Sequence, residues 1–290
     1  MGVVYLTPVS IPLLAKFLLS LIITIYIIFY IPKNKTVNWF LGYLIGYTFL
    51  DLFAFWGQTL NSDLANLSLP LQYLSSFVMS FSFLQFSYFF KEEVFKIEQH
   101  RVQNVLGFFA LLCSIITFYI ISVRGYDELG IIKVFAIYPA VCLIWATIVF
   151  FRKYLISRKA RSSLKNAYLS FFIISTLAIV ISFSVVFDAL RIITPVQNMI
   201  IYFILNLVII SLLTVNFINY LAEKTTVLVK LIGISLVLFI TVIGLQGFIV
   251  IPGFEQEANI QSSLLSKAEL QMIHNQAMPY AWFLLGSIFM

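Results

Sequence analysis

Residues 38–60 read NWFLGYLIGYTFLDLFAFWGQTL, and Asp51 is the single charged residue in this stretch. A helix rises about 1.5 Å per residue, so a stretch of this length can cross a hydrocarbon core of about 30 Å. A helix that is apolar on every side belongs in the core of a large protein or in a bilayer. The stretch therefore predicts a membrane-spanning helix.

The composition of the whole chain points the same way. Of the 290 residues, 61% are hydrophobic and 10% are charged, against roughly 45–50% and 25% in a soluble domain. No stretch is both long and polar enough to form a separate catalytic domain in water. The composition predicts an all-α, polytopic transmembrane helix bundle whose main partner is the lipid bilayer.

Windows without charge give the predicted spans, because a charged side chain at the centre of a span costs about 2.5–3.5 kcal/mol. Eight full spans are predicted, at residues 11–31, 38–60, 70–90, 102–123, 131–151, 167–187, 195–219 and 228–251. A ninth begins at Pro279, but from there to Met290 a helix rises only about 18 Å. The ninth span is therefore expected to be cut short.

This pattern divides the chain into four regions. Residues 1–221 are predicted to form a seven-span bundle, and residues 222–251 contain the eighth span. Residues 252–278 are the one long polar stretch, expected outside the membrane. Apolar residues at helical spacing in their second half predict a short amphipathic helix, with a plain connector as the alternative. Residues 279–290 begin the truncated ninth span.

The basic residues predict the orientation, because Lys and Arg accumulate in cytoplasmic loops. The segment after the fifth predicted span has six basic residues and no acid, namely Arg152, Lys153, Arg158, Lys159, Arg161 and Lys165. With this segment in the cytoplasm, most of the 18 basic residues fall on that side and the N-terminus lies outside. Lys16, inside the first span, is expected to extend outward to the membrane surface.

Asp51 is the only acid well inside a predicted span, and a carboxylate there needs a partner or a proton. Ser80 and Asn206 lie at about the same depth when residues are counted from the span ends, and Tyr47 lies one turn away on the Asp51 face. Two interpretations stay open. The four residues form a pocket that binds a small ligand or senses a proton, or they are polar groups that hold packed helices together.

Gly42 and Gly46 form a G-x-x-x-G pattern, which lets another backbone approach closely. Internal helix packing is the first interpretation, and a homodimer contact is the alternative. Cys113 and Cys142 lie in apolar runs, and the chain has 2 His and no hydrolase, phosphate-binding or metal motif. The sequence therefore predicts no catalytic residue, metal, cofactor or nucleic-acid partner.

The stretch after the seventh predicted span reads NYLAEKTTVLVKLIGISLVLFITVIGLQGF over residues 219–248. It resembles the end of the N-terminal multi-span, seven-helix-type sensory region of bacterial sensor histidine kinases and related membrane signalling proteins. The matching residues are Asn219, Tyr220, Leu221, Thr225, Thr226, Lys230, Leu231, Gly233 and Gly244. Ala222 and Lys224 depart from the family's pattern, in which prolines are expected.

The resemblance implies a multi-pass protein of the bacterial cytoplasmic (inner) membrane that senses an unknown small ligand or membrane signal in a two-component system. It also implies a cytoplasmic output domain, a histidine kinase or a cyclase, outside this chain. A small-molecule transporter or permease is the alternative function, opposed by the lack of internal repeats and paired broken helices. A membrane-embedded enzyme would need a second catalytic group beside Asp51.

Overall fold

The computed structural model describes residues 10–59, 67–91, 93–124, 137–160, 162, 164–182, 195–220, 234–235 and 237. Within these residues the chain forms seven long α-helices and no strand. The helices are α1 (Ser10–Tyr30), α2 (Lys35–Thr59), α3 (Ser68–Phe89), α4 (Lys96–Arg124), α5 (Ile137–Lys159), α6 (Lys165–Ser182) and α7 (Pro195–Tyr220). The all-helical prediction is confirmed for this part of the chain.

Three of the helices are long and apolar enough to cross a membrane. They are Lys35–Gly57, Lys96–Ile120 and Ile137–Lys159. Shorter apolar helical stretches accompany them at Lys16–Tyr30, Lys165–Val180 and Leu205–Tyr220. The length and composition of the first three indicate a membrane protein, but the described helices do not support the predicted eight full spans. The predicted eighth span, the amphipathic helix and the ninth span lie outside the described residues.

Six of the helices form a ring and the other packs on its outside. Around the ring, α1 packs on α2, α2 on α3, α3 on α5, α5 on α6 and α6 on α7, and a smaller contact returns from α7 to α1. Helix α4 packs on α3 from outside the ring. Most of its apolar side chains are exposed, as expected for a helix that faces lipid tails.

Two glycines bring α2 and α3 together. A Cβ atom built on Gly46 would lie 2.7 Å from the backbone nitrogen of Met79, and one built on Gly42 would lie 2.8 Å from Ser82 Oγ. The close approach that the G-x-x-x-G pattern predicts is therefore made to α3 of the same chain.

Substitution of these two glycines is expected to have unequal effects. Gly46→Ala should lower the free energy of unfolding by about 1–3 kcal/mol, because the new methyl group meets backbone atoms that cannot move aside. Gly42→Ala should cost less, because it meets a hydroxyl that can rotate. Unfolding in mixed micelles titrated with sodium dodecyl sulfate measures both. Equal effects would contradict the described packing of α2 on α3.

Five phenylalanine rings from five helices fill the centre of the ring. Phe86 of α3 lies 5.1 Å from Phe40 of α2, 5.4 Å from Phe171 of α6, 5.8 Å from Phe217 of α7 and 6.0 Å from Phe150 of α5, measured between ring centroids. All five side chains are fully buried. We call this cluster the phenylalanine core, and it occupies the half of the bundle where α2 begins and α3 ends.

The turns that follow α1, α3 and α5 lie at one end of the bundle, which we call the basic end. Thr36 Oγ1 donates to the Phe89 carbonyl at 2.8 Å, which places the start of α2 beside the end of α3. Lys153 Nζ donates to the Phe90 carbonyl at 3.0 Å, which places the last part of α5 there as well. The described cations near these turns are Lys33, Lys35, Lys91, Lys96, Arg101, Arg152, Lys153, Arg158, Lys159 and Lys165.

The fifth helix differs from the prediction. Its span was expected to end at residue 151, but α5 continues to Lys159, so Arg152, Lys153 and Arg158 lie in the helix and not in a loop. Lys and Arg are good helix formers, so charge alone does not end a helix. The side chains of Arg152 and Lys153 also bind partners on neighbouring helices.

Candidate functional site

A buried ion pair joins α1 to α2. Lys16 Nζ donates to Asp51 Oδ1 at 2.8 Å, and the two side chains are 5% and 3% exposed. The expectation that Lys16 extends outward to the membrane surface is wrong. It turns inward because Asp51, on the neighbouring helix, offers a carboxylate that compensates its charge.

The helical hairpin explains the pairing. Helices α1 and α2 are joined by residues 31–34 and pack against each other. Lys16 lies 15 residues before Ile31, and Asp51 lies 17 residues after Asn34. An antiparallel hairpin brings such positions opposite each other. The sequence contained this signal, one cation and one acid at matching distances from a turn, and sequence reasoning missed it.

Hydroxyl groups continue this contact along the hairpin. Lys16, Ser20 and Thr24 follow one face of α1 at spacings of four residues, and Thr48 and Asp51 face them from α2. The Thr24 and Thr48 Oγ1 atoms lie 3.4 Å apart, and all five side chains are buried. Each hydroxyl also donates to a carbonyl three or four residues earlier on its own helix. We call these five residues the polar seam.

The carboxylate of Asp51 is only half satisfied. Its Oδ2 atom is buried and accepts no hydrogen bond from a described residue. The Lys16 ammonium lies 5.2 Å from the centroid of the Tyr47 ring, within the range of a cation–π interaction. Taking two charges out of water costs several kcal/mol per ion, even for a pair. The buried charge of Asp51 is therefore unfavourable, and its Oδ2 atom could be satisfied by a proton or by a hydrogen-bond donor.

Tyr47 is the predicted companion that the structure brings to this site, and Ser80 does not join it. The Gly46–Met79 and Gly57–Ser68 contacts set the register of α2 on α3 and put Asp51 level with residue 74. Ser80 lies six residues, or about 9 Å, further along α3. In this register Thr59, the last residue of α2, is level with residue 66, so counting from the predicted ends at residues 60 and 70 placed Ser80 too close to Asp51.

The hydroxyl of Ser80 donates to the Ser76 carbonyl at 2.8 Å, on its own helix. Asn206 is half-buried on α7 and makes no hydrogen bond to Asp51. The pocket of four residues predicted from the sequence is therefore replaced by a seam between α1 and α2, which includes Asp51 and adjoins Tyr47.

The ion pair is remote from the other charges on the described parts of α1, α2, α3 and α7. Lys16 is the only charged residue of α1, and α3 and α7 contain no Asp, Glu, Lys, Arg or His. Lys35, the other charged residue of α2, lies sixteen residues from Asp51, or about 24 Å along the helix. Among the described residues, no group of three His, Cys, Asp or Glu side chains could hold a metal ion.

A second polar cluster joins α3, α4 and α5 at the basic end. Arg152 Nη1 donates to both carboxylate oxygens of Glu98 at 2.8 Å. Tyr88 Oη donates to Glu98 Oε1 at 2.7 Å, and Trp145 Nε1 donates to Tyr88 Oη at 2.8 Å. Glu98 and Arg152 are partly exposed, so this network fixes helix positions at a modest gain in stability.

Lys153 stabilises the end of α3. Its side chain is fully buried, and Nζ donates to the carbonyls of Tyr88 at 2.7 Å and Phe90 at 3.0 Å. Carbonyls at the C-terminal end of a helix lack partners within the helix and carry its negative dipole, so a cation is favourable there. Sequence reasoning assigned Lys153 to topology alone and missed this contact.

No protein-family model, curated protein or solved structure matches this chain.

Proposed function

We propose that the chain is the membrane-embedded sensory input module of a bacterial signal-transduction protein, with the Lys16–Asp51 pair as the element that changes state. In this proposal it is a multi-pass protein of the cytoplasmic membrane, with an outside N-terminus, eight full spans and the start of a ninth. The buried pair carries the argument. Apolar residues of similar volume often stabilise a helix interface as well as a buried ion pair does. A buried pair between α1 and α2 therefore favours a role in conformational change.

The magnitudes suit a two-state switch. In one state the pair holds α1 against α2, and in the other a proton or a ligand's hydrogen-bond donor replaces Lys16 at Asp51. A stimulus can shift this balance only if it binds one state more tightly. Moving a population from 1:99 to 99:1 takes about 5.5 kcal/mol, and breaking a buried pair costs about 3–5 kcal/mol. The pair therefore biases the bundle toward one state by a free energy of the same order as the one that a stimulus must overcome.

The signal would leave the bundle at the basic end, where α7 ends at Tyr220. The resemblance of residues 219–248 to the sensory region of sensor kinases supports this direction. The output would be produced by a histidine kinase or cyclase domain of the parent protein, and this chain would contribute input and no catalysis.

Cysteine crosslinking across the polar seam tests the proposal. Cysteines replace Thr24 and Thr48, whose Oγ1 atoms lie 3.4 Å apart, and alanines replace Cys113 and Cys142. The rate of disulfide formation is measured in vesicles over acidic to alkaline pH and under an imposed potassium diffusion potential. We expect the rate, taken relative to that of the charge-free control described next, to change severalfold with at least one of these stimuli.

Two controls separate a charge switch from general loosening. In the Lys16→Met/Asp51→Leu background the rate should change only with the ionisation of the two thiols, because no buried charge remains to respond. A cysteine pair at Phe40 and Phe217, in the phenylalanine core, should show the same dependence on pH and none on the potential. A rate across the seam in the native background that follows these controls under every condition would contradict the proposal.

A proton- or cation-coupled transporter is the second candidate, and the unpartnered Oδ2 of Asp51 favours it. Intramembrane carboxylates that take up and release protons are common coupling elements in transporters. Against it, the described helices are continuous, with no pair of broken helices among them. Flux into vesicles that is lost in Asp51→Asn would favour the transporter. Stimulus-dependent crosslinking without flux would favour the sensor.

A further inference from the structure

The turn between α5 and α6 has cationic side chains that form no hydrogen bond or ion pair with the described part of the chain. Arg158 and Lys159 end α5, Lys165 begins α6, and all three side chains are exposed. No hydrogen bond or ion pair joins any of them to another described residue. They differ in this respect from Arg152 and Lys153, whose side chains bind partners on neighbouring helices.

Three other cations at the basic end have partners, whereas Arg101 on α4 is exposed and has no side-chain partner among the described residues. Lys35 and Lys96 share the carboxylate of Glu93, at 3.7 and 3.5 Å. Lys33 Nζ donates to the Ile27 carbonyl at 2.9 Å. Among the described residues of the basic end, the turn between α5 and α6 therefore has three positive charges without a partner.

An apolar flank lies directly before these cations on α5. Phe151, Leu155 and Ile156 are 40%, 39% and 43% exposed, as expected where a helix faces lipid tails. Arg158 and Lys159 follow within one turn of Ile156. A surface with an apolar side and cations at its end matches a phospholipid, whose phosphate lies at the end of two acyl chains.

We propose that this turn binds the headgroup of an anionic phospholipid. Arg158, Lys159 and Lys165 contact the phosphate, and the acyl chains lie along the apolar flank of α5. A free anion would use the cations but not the flank, so the combination favours a lipid. Each basic side chain near an anionic membrane surface increases binding about fivefold. The site is independent of whether the bundle is a sensor or a transporter.

Lipid titration of the purified full chain in detergent micelles tests the site. The probes are dioleoyl phosphatidylglycerol and dioleoyl phosphatidylcholine, which share acyl chains, and thermal unfolding reports binding. We expect the anionic lipid to bind more tightly to the native chain. Arg158→Gln/Lys159→Gln/Lys165→Gln should weaken its binding at least fivefold and leave phosphatidylcholine binding unchanged.

A matched control removes the same charge from the same end. Lys33→Gln/Lys35→Gln/Lys96→Gln takes away three cations that are already bonded, and it should weaken phosphatidylglycerol binding less than the first variant does. An equal or larger loss in this control would overturn the proposal, as would an unchanged affinity in the first variant. Stabilisation by inorganic phosphate equal to that by phosphatidylglycerol would also overturn it, since the site would then bind free anions.

A measurement on the native chain applies even if the triple variant does not fold. Phosphatidylglycerol with a photoreactive group near its phosphate is crosslinked to the protein in vesicles, and the attachment site is mapped by mass spectrometry. We expect attachment within residues 151–165, reduced by excess unlabelled phosphatidylglycerol and by high salt. Attachment only elsewhere in the chain would overturn the proposal.

Discussion

Replacing Lys16 with methionine is expected to lower the free energy of unfolding by about 3–5 kcal/mol, because the Asp51 carboxylate would remain buried without its counter-charge. Methionine has nearly the length of lysine, so little of this loss would come from packing. Unfolding in mixed micelles titrated with sodium dodecyl sulfate measures the effect. The size of the loss reflects how deeply the pair is buried, at 5% and 3% side-chain exposure.

The double variant Lys16→Met/Asp51→Leu separates charge from packing. It removes both ions and should recover most of the stability lost in Lys16→Met, because an apolar pair has no desolvation cost. Lys35→Met is a matched control on α2. Its side chain is 74% exposed and its pairing with Glu93 is long, so a change within about 0.5 kcal/mol is expected. If the double variant were as unstable as Lys16→Met, an unpaired charge would not be the cause.

Lys153→Met should be the second most damaging substitution among those considered. It removes two hydrogen bonds from a buried ammonium group to the carbonyls of Tyr88 and Phe90. Hydrogen bonds to charged groups contribute about 1.5–3 kcal/mol each, so we expect a loss of about 3 kcal/mol. The same unfolding titration measures it.

Lys159→Met is the control for this prediction. It makes the same chemical change six residues later on α5, where the side chain is exposed and has no described contact. The expected change is within about 0.5 kcal/mol. Equal losses in the two variants would show that lysine at either position acts through net charge or helix propensity, and not through the end of α3.

Charge-free windows predicted where most helices lie, because the cost of a charge in a bilayer acts on each residue separately. The predicted spans 11–31, 38–60 and 195–219 match α1, α2 and α7 to within about three residues at each end. The end of α5 was predicted eight residues too early. A rule that ends a span at the first charge takes no account of contacts with other helices, such as the hydrogen bonds from Lys153 to carbonyls at the end of α3.

The sequence predicted one residue of the site, Asp51, but not which residues surround it. Asp51 was identified because an acid inside a span always needs compensation. Its partner depends on which helix faces α2 and in what register, and α1 and α3 both do. Depth counting selected Ser80 on α3, whereas the short turn after α1 places Lys16 closer to Asp51 than any other charged residue. Counting outward from the turn would have identified the pair.

The six basic residues after the fifth predicted span also divide in a way that composition does not reveal. As topology signals they are equivalent, since each adds one positive charge to the same side of the membrane. In the structure Lys153 is buried, Arg152 is partly exposed and paired with Glu98, and Arg158, Lys159 and Lys165 are exposed, while Arg161 lies outside the described residues. Which cations are buried depends on the neighbouring helices, and that information is not local in the sequence.

The pairing of Lys16 with Asp51 also has a consequence for biosynthesis. In the proposed multi-pass topology, Lys16 leaves the ribosome 35 residues before Asp51, so α1 would reach the membrane with its charge uncompensated. A lone charge at the centre of an inserting helix costs about 2.5–3.5 kcal/mol, and Lys16, four residues from the midpoint of α1, would bear part of this cost until α2 arrives. The proposed topology therefore favours entry of α1 and α2 together, as a hairpin, over the stepwise insertion of α1 alone.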